Sequence, residues 1–272
     1  MGHHPPMLVH TEEVMGTVAS FQVVLGDISQ GKAALALRSA CDVLHRADAV
    51  FSTYIGESPI SRLRRGEADL AEMPEDVHEV LDLCREARRA SAGWFDPWAM
   101  PGGLDPTGLV KGWAVERALQ VVRSSGVPAA MLNAGGDLST FGEPAPGEGW
   151  RIGIRNPFDA QGLACIVTSP GAVATSGTYE RGPILLNPFD SRSVTRAASA
   201  SVTGPSLAMA DALATALCVA GREGLDWFAE LSGYEAYIIG HDASEASTPG
   251  FGSSERATGP AQPPTGRPCP VA

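Results

Sequence analysis

The chain is 272 residues long, 44% apolar and 19% charged, with a formal net charge of −11. That length can bury a substantial core, and the balance is that of an ordinary globular protein. The acidic excess argues against nucleic acid or an anionic membrane as the main partner, since both favour basic faces. An anionic ligand must then be held by local groups, against the overall field.

Residues 1–14 (MGHHPPMLVHTEEV) lack the basic and apolar regions of a signal peptide and read as an N-terminal extension. Met15 to Leu25 is rich in β-branched residues and stops at Gly26-Asp27, which predicts a strand. From Gly31 to Phe51, Leu37, Cys41, Leu44 and Ala47 recur at steps of four and three, the mark of a helix. Gly56-Glu57-Ser58-Pro59 reads as a turn, and Pro74 suits the first position of a second helix carrying Val77, Val80, Leu81, Cys84 and Ala87.

Residues 91–106 are too irregular for either period, and compact domains rarely carry such a loop without a use for it. A third helix is predicted from Leu109 to Ser125, stopped by Gly126. Ala129 to Asn133 is a short strand entering the tight Ala134-Gly135-Gly136-Asp137 loop. Residues 150–155 and 165–168 alternate like sheet, and 171–177 form another strand ending in a glycine turn. Helices follow at 206–219 and 224–231, then a strand at 236–239. From 242 onward, Ser, Thr, Gly and Pro dominate and predict disorder. Strands and helices mix without a regular βαβ rhythm, so the expected class is α+β, one domain over 15–241 between an extension and a tail.

Five cysteines, at 41, 84, 165, 218 and 269, show no metal-binding spacing. Cys41, Cys84 and Cys218 fall on apolar helical faces as buried free thiols, which suits a reducing compartment. No run of 18 apolar residues occurs, so the chain reads as a soluble cytoplasmic protein with no membrane insertion.

Two segments carry the chemistry. In Asp105-Pro-Thr-Gly-Leu-Val-Lys111, a lysine in the first turn of a helix adds an ammonium to free backbone N–H groups. Gly108 lets backbone approach a ligand, since no Cβ intrudes. The glycine spacing is not that of a Walker loop. Asp211 and Thr215 are four apart on an otherwise apolar helix, hence on one face. A carboxylate there is costly to bury unless paired or bound to metal, and with a hydroxyl it makes a hard oxygen donor pair suited to Mg²⁺. The bland alternatives are a capped helix with a surface lysine, and an exposed aspartate beside a threonine bonded to its own backbone.

Taken in order, these segments resemble the flavin-transferase family often called ApbE, the FAD:protein FMN transferases. The likeness runs from residue 15 to about 240. It rests on Met15-Gly16-Thr17, Phe51-Ser52-Thr53-Tyr54 with Ser58 and Ile60-Ser61, Phe95-Asp96-Pro97, Asp105 with Lys111-Gly112 and Ala114, Asn133-Ala134-Gly135-Gly136-Asp137, Trp150 with Gly153, Ala174-Thr175-Ser176-Gly177, and Asp211 with Thr215. The resemblance implies a Mg²⁺-dependent enzyme that cleaves FAD at its pyrophosphate, releases AMP, and attaches FMN to a threonine or serine of an acceptor flavoprotein. It implies metal ligands at Asp211, Thr215 and the Gly108 carbonyl. It also implies an FAD site lined by Met15, Tyr54, Trp94, Phe95, Asp96, Asp105, Lys111, Gly135, Gly136, Asp137, Ser176, Gly177 and Leu186.

One departure stands out. The family's His-Ile-Ile-Asp-Pro segment reads Ile184-Leu185-Leu186-Asn187-Pro188 here, so an isoleucine occupies the histidine position. No histidine occurs between His78 and His241. Losing a general base costs about 10²–10⁴-fold in rate. The catalytic residue is therefore unassigned, with Asp211 the candidate to take the proton. The same residues also admit an FAD-binding relative without transferase activity, or an FAD pyrophosphatase using water as acceptor.

Overall fold

The computed structural model describes residues 5–169, 171–177, 185–193 and 196–256. Ile184 and everything beyond 256, including Cys269, lie outside the described residues. The α+β expectation holds: among the described residues, five α-helices cover one face of an eight-stranded sheet, and a three-stranded sheet covers much of the other.

The large sheet is antiparallel throughout. It contains β1 (Met7–Val14), β2 (Thr17–Val24), β3 (Ala129–Ala134), β4 (Asp137–Phe141), β7 (Ala172–Gly177), β8 (Ser199–Gly204), β9 (Glu235–Ile239) and β10 (Glu245–Ser247), in that spatial order. The small sheet consists of β5 (Trp150–Arg155), β6 (Leu163–Ser169) and β11 (Ser253–Arg256). Strand alternation divides the interior into two cores. Ala19, Phe21 and Val23 of β2, Ala130 and Leu132 of β3, and Ala236 and Ile238 of β9 face the helices. Their neighbours Val24, Ala129, Tyr237 and Ile239 face Trp150, Ile152, Ile154, Cys165 and Val167 of the small sheet.

The helices are α1 (Gln30–Phe51), α2 (Pro59–Arg64), α3 (Glu75–Ala90), α4 (Thr107–Ser124) and α5 (Leu207–Ala220). Ser29 caps α1 by accepting from Lys32 N–H, and the predicted stripe Leu37, Cys41, Leu44 and Ala47 is buried. Pro74 sits one position earlier than predicted, as the N-cap of α3. The turn predicted at 56–59 holds at Gly56 and Glu57 and leads directly into a helix: Ser58 accepts from Ser61 N–H and Pro59 opens α2. Six residues are too few to show a hydrophobic period. The helix predicted at 224–231 is a 3₁₀ stretch over Gly221–Ala229.

Helix α5 is the centre of the molecule. Every residue from Leu207 to Ala220 is buried except Thr215. A helix apolar all round must lie inside, and α5 is packed between α4, the sheet and α3.

Two boundary expectations need correction. Residues 1–14 do not form a separate extension throughout, because β1 pairs with β2 along its full length from Met7↔Val24 to Val14↔Thr17. Nor is 242–256 without structure: β10 pairs with β9 and β11 with β6. Backbone hydrogen bonding along sheet edges needs little apolar sequence, so composition does not reveal it. Among the described residues, no helix is long and apolar enough to cross a membrane.

Candidate active site

The site begins where α4 crosses α5. At Gly112 an added Cβ would stand 2.5 Å from the Leu207 carbonyl oxygen, so only glycine permits this approach. The crossing is held one turn further along α4 by Glu116. Its carboxylate accepts from Leu207 N–H at 2.6 Å, Ala208 N–H at 3.3 Å and the Ser206 hydroxyl at 3.1 Å, capping the start of α5 from a neighbouring helix. Burial raises the carboxyl pKa of Glu116 above its ordinary value, against those donors, which lower it. Nothing in the local sequence distinguishes Glu116 from a surface glutamate.

The close crossing brings Asp211 to α4. The Gly112 N–H donates to Asp211 Oδ2 at 3.2 Å, and Asp211 is buried at 5% exposure. In a regular helix that amide points at the carbonyl of Gly108, so the carboxylate is a second acceptor for it. One turn along α5, the Thr215 hydroxyl lies 3.2 Å from Ser176 Oγ at the end of β7. Gly108 faces the same place: a Cβ there would stand 3.8 Å from Thr215 Oγ1 and 3.2 Å from the Phe95 ring.

Lys111 leaves α4 toward the sheet. Its Nζ is 2.5 Å from Asp137 Oδ2, and the two side chains are 12% and 1% exposed. Asp137 Oδ1 also accepts from Thr175 N–H at 3.0 Å, so this carboxylate joins β4, β7 and α4. Asp105 Oδ1 accepts from the hydroxyl and N–H of Thr107 at 2.6 and 3.1 Å, while Oδ2 lies 3.6 Å from Arg64 Nη1. Arg64 additionally donates to the carbonyls of Gly102 and Pro101, tying the irregular loop to α2. Asp96 pairs with Arg88 at 2.7 Å and accepts from Trp98 N–H at 3.0 Å.

These groups surround one cavity of about 350 Å³, within the usual range for small-molecule sites. Of the residues singled out by sequence, Trp94, Phe95, Asp96, Asp105, Gly108, Lys111, Ser176, Gly177, Leu186, Asp211 and Thr215 line it. Thr107, Met100, Pro101, Thr175, Leu185 and Val219 line it as well. All six went unnoticed as site residues because each is an ordinary loop, strand or helix residue in its own segment. The Phe189 ring meets Trp94 edge-on at 5.0 Å, and the Arg196 guanidinium lies 5.3 Å over the Trp94 ring.

Met15, Tyr54, Gly135, Gly136 and Asp137 do not line this cavity. Tyr54 is 97% exposed just beyond α1. Gly135 and Gly136, with φ of 62° and 92°, form the two-residue turn between β3 and β4, the conformation that favours glycine pairs. Met15 occupies the neighbouring β1–β2 turn and packs against the core. The two turns touch, since a Cβ on Gly135 would meet Thr17 Oγ1 at 2.7 Å. They position Asp137, which reaches the cavity only through Lys111. No histidine is among the cavity-lining residues described.

Residues 15–103 and 100–238 match the model of the ApbE family. An FAD:protein FMN transferase of Rhodobacter capsulatus is 36% identical over 156 residues, which is 54% of this chain and 30% of the relative. One of Vibrio cholerae is 32% identical over 131 residues, 44% of this chain and 39% of the relative. The chain thus spans well under half the length of these curated relatives. Among solved structures, the flavin transferase ApbE from Vibrio cholerae shares the fold with a TM-score of 0.78 at 20% identity, covering 90% of this chain and 98% of that one. The ApbE protein from Thermotoga maritima does so with a TM-score of 0.79 at 20% identity and the same coverage. With the family model matched over most of its length and the cavity built from the segments that carry the resemblance, the chain belongs to the ApbE family.

Proposed function

We propose that this chain is an FAD:protein FMN transferase, moving FMN from FAD to a threonine or serine hydroxyl of an acceptor flavoprotein with release of AMP. The observation that carries this reading is the meeting of Lys111 and Asp211 on one cavity, joined by the Gly112–Asp211 hydrogen bond. The curated relatives named above bear that activity in their names.

The donors fit a hard divalent ion. Asp211 offers a carboxylate, Thr215 a hydroxyl and Gly108 a carbonyl, all oxygen, on two adjoining helices. Mg²⁺ bound to this set would neutralise charge developing on the phosphoryl group in transfer. Lys111, held by Asp137, presents its ammonium to the diphosphate beside the positive end of α4. Trp94 and Phe95 supply a flat apolar wall for a ring system. In the transfer, the acceptor oxygen forms a bond to the FMN phosphorus as the bond to the AMP oxygen breaks. The hydroxyl proton passes to the Asp211 carboxylate oxygen that a bound ion would leave free. Most of the acceleration in such reactions comes from positioning and charge stabilisation, which these residues supply. The four described cysteines are free and buried, in keeping with a reducing, cytoplasmic setting.

The test is to incubate the protein with FAD, Mg²⁺ and a flavoprotein fragment bearing an acceptor threonine, and to weigh the fragment by mass spectrometry. The expected result is an FMN adduct together with free AMP. Free FMN and AMP without an adduct would make the protein a pyrophosphatase. Bound, unreacted FAD would make it a binding relative and end the transferase reading.

A further inference from the structure

Far from this chemistry, β1 and α1 bring four metal-ligating side chains together. His10 and Glu12 are two apart on the strand and so share a face, while Cys41 and His45 are four apart on the helix and share another. One ligand atom each from His10, Glu12 and Cys41 lies within 4.8 Å of the others. His45 adjoins this trio at Glu12, with Nε2 2.7 Å from Glu12 Oε1, while His10 Nε2 is 3.4 Å from Glu12 Oε2. No step of the proposed transfer uses any of them.

We propose that His10, Glu12, Cys41 and His45 form a binding site for a zinc-class divalent ion that clips the edge strand β1 to α1. Two imidazole nitrogens, a sulfur and a carboxylate oxygen match the borderline-soft preference of such an ion, whereas Mg²⁺ selects oxygen alone. Metal–ligand distances of about 2.0–2.3 Å put ligand atoms of a tetrahedral site roughly 3.3–3.7 Å apart. His10, Glu12 and Cys41, whose ligand atoms lie within 4.8 Å of one another, need to close by about 1 Å, and His45 turns in from its contact with Glu12. Their side chains are 41% and 50% exposed, which also gives the ion a path in.

Ion pairing alone explains the cluster less well. An ion pair needs no thiol, yet Cys41 Sγ sits with the His10 and Glu12 ligand atoms. The His45 ring already bonds the Glu12 carboxylate, so these two ligands start side by side. Burial, with Glu12 and Asp42 nearby, pushes the Cys41 thiol up to about 11. Coordination exchanges the Cys41 S–H bond for a sulfur–metal bond and releases the proton to solvent, with no change of oxidation state. A clip here has a structural use: among the described strands β1 has only β2 as a neighbour, and α1 also packs against it.

The test uses the full chain, stripped with chelator and then kept in excess Mg²⁺ to satisfy the hard-oxygen site. Titration with Co²⁺ should give one ion per chain, tetrahedral absorption and a thiolate-to-cobalt charge-transfer band, all displaced by one equivalent of Zn²⁺. Cys41→Ser should remove the charge-transfer band. His45→Ala, at an exposed side chain that leaves the fold intact, should weaken binding roughly 100-fold. A His3→Ala/His4→Ala double variant should keep both band and affinity. The proposal is overturned by absence of a sulfur band, by a band surviving Cys41→Ser, by unchanged affinity in His45→Ala, or by loss of binding in the double variant. None of these outcomes depends on the transferase assay.

Discussion

At the scale of single residues, the cavity depends on charges placed where water is scarce. Asp211 is buried on an apolar helix, where it accepts from a backbone amide of another helix. Asp211→Ala should therefore lower Mg²⁺-dependent flavin transfer by at least about 10²-fold, combining loss of a metal ligand and of the proton acceptor; undiminished turnover would remove the proposed metal site. Ile184→His, which restores the family's residue, should raise the rate by about 10-fold or more if a missing base limits turnover. An unchanged rate in the same assay would show that the proton already has an adequate acceptor. The Lys111–Asp137 pair calls for a different measurement. Removing one member of a buried pair leaves an uncompensated charge, so Asp137→Ala should cost about 3–5 kcal/mol in denaturant unfolding. Replacing Lys111 by Met in the same chain should recover part of that loss, because the stranded charge goes with it.

At the scale of elements, the α4–α5 crossing is the decisive contact. Gly112→Ala places a methyl group against the Leu207 carbonyl and should destabilise by about 1–3 kcal/mol, read as a lower midpoint of thermal unfolding. Glu116 adds a pH signature. Its folded pKa is raised, chiefly by burial, so the fold binds its proton more readily than the unfolded chain does. Its contribution is then fully present below the ordinary value of 4.5 and is lost as pH rises through the raised value. Stability measured against pH should fall across that window in the native chain and stay flatter in Glu116→Gln. Equal slopes in the two proteins would show that the carboxyl does not titrate differently on folding. Sequence periodicity identified α1, α3, α4 and α5 because each buries a long apolar stripe or surface. It missed β8, whose Ser-Ala-Ser-Val-Thr-Gly lacks the bulky branched residues that mark a strand. Small side chains are what fit there, since β8 packs directly under α5.

At the scale of the whole molecule, two cores on opposite faces of one sheet leave the described cysteines buried. Burial raises Cys41 and Cys165 to about 11, and Cys84 and Cys218 to about 12. A Cys269→Ser variant should thus show no thiol reactive toward a disulfide reagent at pH 8 until denaturant is added, and rapid labelling in the folded state would contradict the burial of all four. Composition, apolar periodicity and the order of short motifs were enough to determine the α+β class, the main helices, the family resemblance and most of the cavity's walls. Those signals are local: a stripe, a cap or a glycine turn is written within a few residues. Only the folded chain decided that Asp137 serves through Lys111, that Glu116 caps a helix ninety residues away, that the Met15 and Gly135-Gly136 turns stand behind the cavity, and that β1 and β10 extend the sheet. Each of these rests on a contact between segments distant in the chain, and such contacts arise from packing and hydrogen-bond satisfaction across the whole interior, which no local pattern encodes.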